Sequence, residues 1–417
     1  MWGSMTTPQK WQFATRFRRH TFGWRSDLPI QRIKEAITEI KKVARQQPIV
    51  AAEGAVTFLV KLSPALEQVD SSSGALGTAV NRAIDTLVPI IANAHVDQRV
   101  RQRWLARLWG AVQDDDMPYL ELLGDYWGEL CATPTVASSW VDELLPTLEM
   151  VWRPSAVGHG FYKGTSACLA SMYAAGQYKA LLGLLERAPF VWWHDRRWGV
   201  KSLVALGRKT EALHYAEASG GLNAPLSAIA SACEEILLSS GLHAEAYQRY
   251  ALLANQGATH LATFRALTEK YPALPAADIL RDLIASTPGS EGKWFAAAKD
   301  AGLFDVAINV ATNSPTDPRT LVRAARDFGM SQPDFGVACG LAALRWIALG
   351  HGYEITSMDV IGAYDALLFA APRSSMGEGE VHGQIRALVA GSAPYCEFLK
   401  SALVSRLRWS AEGMPGV

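Results

Sequence analysis

Five connectors of one layout run through the middle of the chain: AAGQYKAL (Ala174–Leu181), ALGRKTEA (Ala205–Ala212), SSGLHAEA (Ser239–Ala246), KYPALPAA (Lys270–Ala277) and DAGLFDVA (Asp300–Ala307). Their anchors, Gly176, Gly207, Gly241, Pro272 and Gly302, follow one another at 31, 34, 31 and 30 residues. Five positions after each anchor stands Leu181, Ala212, Ala246, Ala277 or Ala307. Four positions before it stands Met172, Leu203, Leu237, Thr268 or Ala298, apolar in four of the five. Glycine ends a helix at little steric cost, because a left-handed C-cap carries no Cβ penalty there. A small residue early in the next helix lets the two helices approach closely. One such pair of short helices cannot bury its own apolar face, so neighbours must stack. No stretch alternates with period two and ends in a hairpin turn. The fold class that follows is all-α, a right-handed α-solenoid of antiparallel helical hairpins.

The layout resembles the tetratricopeptide repeat family, in which a glycine between helices A and B, often with an aromatic two residues later, precedes a small residue of helix B. Gly176-Gln177-Tyr178 and Gly302-Leu303-Phe304 carry the match, over roughly residues 160–315. The early Trp and Leu-Gly signature of that family is missing. The resemblance implies a fold with a concave groove and names no ligand.

Working outward, longer amphipathic stretches precede the array. Gln31 to Gln46 places Ile33, Ile37, Ile40 and Val43 on one stripe. Further helices are predicted from Val50 to Val69, up to Ala94 after the serines at 71–73, from Val96 to Val112, from Pro118 to Cys131, and from Pro134 to Val151. These resemble HEAT-type arrays. Past Pro315, helices begin near Asp317, Phe335 and Thr356, and the small polar run at 373–382 reads as a mobile loop. The expected organisation is a basic N-terminal arm (1–28), HEAT-like antiparallel helices (29–155), tetratricopeptide-like repeats (156–315) and capping helices (316–417).

Composition narrows the function classes. Over 417 residues, forty Lys and Arg balance forty Asp and Glu, which removes a whole-molecule electrostatic case for nucleic acid or an anionic membrane. Hydrophobic residues at 49% exclude a disordered chain. The five cysteines stand singly, without a C-x-x-C pair, as buried free thiols of a reducing compartment do. Met1 to Ser4, ahead of Met5, are set aside from fold reasoning, and no apolar signal core follows. The longest apolar runs fall far short of the ~20 residues of a membrane span. The expectation is a cytoplasmic protein with no membrane contact.

Charge is nevertheless uneven. Residues 1–50 hold ten Lys/Arg against three Asp/Glu, net +7, whereas residues 108–152 hold nine Asp/Glu and no Lys/Arg, net −9. Arg99, Arg103 and Arg107 lie four apart on one predicted helix, and Glu121, Asp125 and Glu129 lie four apart on the next. In an antiparallel pair the two ladders face each other, which predicts a structural ion-pair seam. The arm carries Arg16, Arg18, Arg19 and Arg25 interleaved with Phe17, Phe22 and Trp24. That is how a phosphate-tracking, base-stacking segment looks, but the reading preferred here is an arm whose Phe and Trp dock on the first helices while its arginines meet the acidic segment. Between two repeats lies Phe190-Val191-Trp192-Trp193-His194-Asp195-Arg196-Arg197-Trp198. Aromatic and Arg residues are enriched at binding hot spots, so Trp193, His194, Arg196 and Arg197 form the candidate patch for a peptide or an acidic group, with Trp198 in the core.

Gly158 to Ser166 has Lys before Gly and no strand upstream, which is the wrong order for a phosphate loop. Thr165 or Ser166 is expected to cap the next helix. No metal-binding histidine spacing and no nucleophile elbow occurs. No cofactor, metal or catalytic residue is assigned. The reading is a non-enzymatic scaffold that binds a protein or peptide through the groove of its repeats. The alternative is a nucleic-acid-binding repeat protein using the basic arm. A third, a hydrolase or glycosylase, requires a pocket holding a carboxylate with a strongly raised pKa.

Overall fold

The structure, a computed structural model, describes residues 9–153, 160–221, 224–404 and 406. The described residues form helices and turns, with no strand among them. The glycine anchors set the helix ends. Gly176, Gly207, Gly241 and Gly302 all adopt left-handed φ, +74, +76, +77 and +71°. The residue after each donates its N–H to the carbonyl five positions back: Gln177 to Met172 (2.9 Å), Arg208 to Leu203 (2.9 Å), Leu242 to Leu237 (3.0 Å) and Leu303 to Ala298 (2.9 Å). Each glycine N–H bonds the carbonyl three back, so two otherwise orphaned carbonyls are satisfied at every end. Gly350 repeats the turn (φ +85°, His351 to Trp346, 2.9 Å) outside the spacing that singled out the others. Pro272 has no N–H to give, and its connector turns differently: Tyr271 bonds Leu267 at 2.9 Å with φ −121°, before a longer link to the next helix.

The chain divides into two compact units, residues 1–236 and 237–417. The first holds α1 (Phe13–Arg16), α2 (Asp27–Ala44), α3 (Pro48–Leu66), α4 (Ala75–Ala92), α5 (Gln98–Gln113), α6 (Trp127–Cys131), α7 (Pro134–Trp152), α8 (Thr165–Ala174), α9 (Tyr178–Leu185), α10 (Trp193–Ala205) and α11 (Lys209–Glu217). The division falls near the end of α12 (Leu226–Leu238). Starts follow capping chemistry: Asp97 accepts from the Val100 N–H at 2.9 Å, and Thr133 from Val136 at 3.3 Å ahead of Pro134. Phe13, Phe17 and Phe22 bury their rings, the first two edge-on to Phe58 of α3 at 5.3 and 5.0 Å. Trp109, Trp127 and Trp140 make a second edge-to-face cluster. The helices α3 and α4 are long and apolar enough to cross a membrane by length and composition. In this fold they pack on each other and on α2. All five cysteines are buried and outside any disulfide, and burial pushes the Cys131 and Cys168 thiols up to about 12.

The second unit opens with α13 (His243–Ala246), which widens into a π turn at Tyr247–Ala251 before α14 (Leu252–Ala254). It continues through α15 (His260–Lys270), α16 (Ala276–Ala285), α17 (Phe295–Asp300), α18 (Phe304–Asn313), α19 (Pro318–Phe328), α20 (Pro333–Ala348), α21 (Ser357–Ala370), α22 (Gly377–Val389) and α23 (Cys396–Leu403). A capping box of Thr356 and Asp359 starts α21. Phe295, Phe304, Phe328 and Phe335 interlock within its core.

Two predicted elements are corrected. The run 373–382 is not a loop throughout. Asp334 accepts from the N–H and hydroxyl of Ser375 (2.7 and 2.8 Å), and α22 begins at Gly377. The helix expected from Pro118 to Cys131 does not form as one piece. Asp115 accepts from the Leu120 N–H at 2.7 Å and from the Ser63 hydroxyl, folding 115–120 into a turn. A 3-10 turn (Glu121–Gly124) and the short α6 follow.

Left-handed glycine makes a measurable difference here. A Cβ on Gly207 would touch nothing within 4 Å, so Gly207→Ala isolates the backbone term. We expect it to destabilise the first unit by about 1–2 kcal/mol. Gly77→Ala, inside α4 and equally uncrowded, stabilises it by roughly 0.5–1 kcal/mol. Urea midpoints of the two variants against wild type check both signs.

Candidate functional site

The segment before α10 is extended at Trp192 (φ −100°, ψ 129°), and an extended chain projects alternate side chains to one side. Phe190 and Trp192 therefore stack, centroids 5.1 Å apart at 13°. Both are exposed, Trp192 at 57%. Trp193, one residue on, turns inward at the start of α10 and is buried, as is Trp198. The exposed rings form one wall of a cleft of about 600 Å³, whose other lining includes His194, Arg197, Ala224 and Pro225.

The first turn of α10 carries the charges. His194 and Arg197, three apart, share a face. Both reach the Oδ1 of Asp125, which follows the 3-10 turn: His194 Nε2 at 3.2 Å and the Arg197 guanidinium as a close ion pair. The Ser166 hydroxyl on α8 lies 2.7 Å from the same Nε2. Burial pushes the Asp125 carboxyl up, yet its bonds from His194 and Arg197 outweigh that and hold it below the ordinary 3.8. Asp125 in turn raises His194 above its ordinary 6.5, against burial. Burial lifts the neighbouring Asp195 carboxyl. Arg196 faces away, its guanidinium 4.1 Å above the Tyr215 ring of α11. Of the four residues predicted for the patch, the structure thus brings His194 and Arg197 into one cleft, seats Trp193 in its buried lining and stacks Arg196 elsewhere. The site also includes residues that the sequence pattern does not mark as such: the exposed rings of Phe190 and Trp192, and the counter-ion Asp125. The only signal for them was the aromatic run itself and the uncompensated acidity of 108–152.

The predicted ion-pair seam does not form. Arg107 bonds Glu53 and, at 2.9 Å, the Thr57 hydroxyl, both on α3, while Asp125 serves His194 and Arg197. Of the apolar core expected beside it (Val100, Trp104, Leu108, Leu123 and Trp127), the last four are closed to solvent and Val100 is only partly buried. In the arm, Phe17 and Phe22 are docked as core. Arg16 pairs with Glu35 of α2 at 2.7 Å, and Arg19 with Glu67 beside α3 at 3.1 Å. The arginines therefore meet α2 and the end of α3 instead of the acidic segment. Arg18 and Arg25 are exposed, as is Trp24.

No protein family, curated protein or solved structure matches the chain. The chemistry of the site must therefore come from its geometry. Ser166, His194 and Asp125 are neighbours, but serine and aspartate meet the same ring nitrogen. A nucleophile relay needs the hydroxyl on one nitrogen and the acid on the other, so this trio is an ion-pair node and not a hydrolytic triad. The caps expected from Thr165 and Ser166 are absent as well: Thr165 donates to Tyr162 O at 2.9 Å and Ser166 turns to His194. A second carboxyl with a pKa raised by burial, Asp115, lines a smaller hollow of about 320 Å³ with Phe161 and Lys163. Its two oxygens are taken by Ser63 and Leu120, which makes it a clasp for the turn. Among the described residues no group of three or more His, Cys, Asp or Glu could hold a metal ion.

The His194–Asp125 contact stabilises the fold in a defined window. The raised His194 contributes below its ordinary 6.5 and loses that contribution as pH rises through the folded value. The lowered Asp125 contributes above 3.8 and loses it as pH falls. His194→Gln should therefore destabilise the chain more at about pH 5.5 than at about pH 8, by on the order of 0.5 kcal/mol given the half-exposed imidazole. Urea titrations at the two pH values read the difference.

Proposed function

We propose that the protein is a non-enzymatic helical-repeat scaffold, its short helices stacked as a right-handed array of hairpins, and that it binds a peptide segment of a partner protein in the cleft ahead of α10. The observation that carries this reading is the exposed, stacked pair Phe190 and Trp192 beside His194 and Arg197 near the start of α10. Exposed stacked rings next to Arg have the composition of an interface anchor. A cleft of about 600 Å³ suits one or two apolar side chains of a docked segment. The left-handed glycine turns support the hairpin array. A cytoplasmic location belongs to the same reading, with the buried cysteines, outside any disulfide, as its support.

The nucleic-acid alternative draws support from Arg18, Arg25 and the exposed Trp24. It has lost two of its three stacking rings to the core, so the peptide reading is preferred.

Selection of random displayed peptides on the full chain tests it. Peptides enriched on wild type should lose about 30-fold in affinity on Trp192→Ser, the scale of an anchoring Trp. Far-UV circular dichroism should stay unchanged, because the ring lies outside the core. Equal affinity for the variant, or binding only of single-stranded RNA in a salt-dependent manner, overturns the proposal.

A further inference from the structure

The cleft also shows which chemistry its cations accept. His194 lies on the first turn of α10, where the helix dipole favours an anion, and Arg197 follows one turn on along the same face. They converge on a single carboxylate oxygen, that of Asp125, which comes from the segment ahead of α6. Both cations also line the cleft beside Trp192. Asp125 itself is 14% exposed, whereas the His194 side chain is 50% exposed and reaches it only at 3.2 Å. The imidazole and the guanidinium thus meet on one carboxylate oxygen, with Asp195 of the same helix also acting on His194, and the more weakly held group, the imidazole, is the half-exposed one.

Resting on the peptide reading above, we infer that the cleft selects segments carrying an Asp or Glu beside their apolar anchor, and that Asp125 is the internal carboxylate with which that acid competes for His194 and Arg197. An incoming carboxylate takes the exposed side of His194 and the guanidinium of Arg197, while the anchor lies against Trp192. The charged groups acting on His194 are Asp125 from the segment before α6, and Arg197 and Asp195 from its own helix, while α8 contributes the Ser166 hydroxyl. Since Asp125 raises the imidazole's pKa, His194 carries its charge below that value. Affinity for acidic segments falls as pH rises through it, and affinity for neutral ones does not.

Random peptides displayed against the full chain should yield sequences with Asp or Glu near an apolar residue. In the tightest of them, Glu→Gln should weaken binding about tenfold on wild type. On His194→Gln/Arg197→Gln the same swap should change affinity less than twofold. Asp125→Asn, an isosteric change, should tighten the Glu-bearing peptide at least threefold and leave its Gln counterpart unaffected. The Glu peptide should also bind more tightly at about pH 5.5 than at about pH 8. Selected peptides without acidic preference, or a Glu→Gln penalty that survives in the double variant, overturn the inference while leaving peptide docking intact. The wild-type Glu→Gln comparison decides even where a substituted chain folds poorly. Enrichment that is indifferent to Phe190→Ser/Trp192→Ser overturns the docking reading itself.

Discussion

Everything in this fold depends on how its helices end. Many are short: α9 has eight residues and α11 nine, below the length at which a helix is stable alone in water. Such pieces persist only if their apolar faces are covered and their terminal carbonyls satisfied. Left-handed glycines do this at four of the five connectors by giving two N–H groups back to the preceding turn. Where no glycine stands, a side chain can take over. Arg101, buried on α5, donates to Ile91 and Ala94 at the end of α4 (2.6 and 2.7 Å), to Ala92 (3.2 Å) and to Leu130 of α6 (3.4 Å). A buried guanidinium is costly unless its donors are used, and here it gathers carbonyls that α4 and α6 would otherwise leave open.

Those closures matter for the cleft because of one close approach. Gly128 on α6 lies so near α8 that a Cβ there would collide with the carbonyl oxygen of Ala170. The contact sets α6 against α8 and thereby Asp125 near Ser166. The cleft's charge node therefore draws on three segments, two of which, α6 and α8, meet at backbone distance.

The glycine anchors were legible because a left-handed turn demands one residue type at one place. The amphipathic helix that carries Ile33 and Ile40 was legible for the same reason, since local periodicity decides it. The seam failed because spacing arithmetic assumes an unbroken helix. Asp115 folds back on Leu120 and Ser63, Gly124 ends a 3-10 turn, and the register of Glu121, Asp125 and Glu129 no longer repeats every 3.6 residues. Arg107 had a nearer acid in Glu53 of α3, a pairing that depends on which helices touch and leaves no trace in either helix's own periodicity. The aromatic stretch before α10 was legible in kind but not in orientation. A single step from extended chain to helix decides that Trp192 faces solvent while Trp193 is buried, and residue type alone does not place that step.

The same charges serve fold and cleft. Asp125 joins the start of α10 to the approach of α6 through two partners, of which His194 is half-exposed toward the cleft and Arg197 the more buried. The contact of the half-exposed His194 contributes only ~0.2–1 kcal/mol to folding, so loosening it leaves the helical core intact, whereas the Asp125–Arg197 pair, 14% and 27% exposed, is the more buried of the two. A deeply buried pair would be worth more to the fold and could not be shared, because removing its partner would strand a charge in a low dielectric. Under the peptide reading proposed above, the partial exposure of His194 is the property by which one carboxylate would fasten α10 and still release a partner to a ligand. Phe190 and Trp192 follow the same logic. Their rings stack on each other and add little to the core, and the surface they keep open is the surface that a bound apolar side chain would cover.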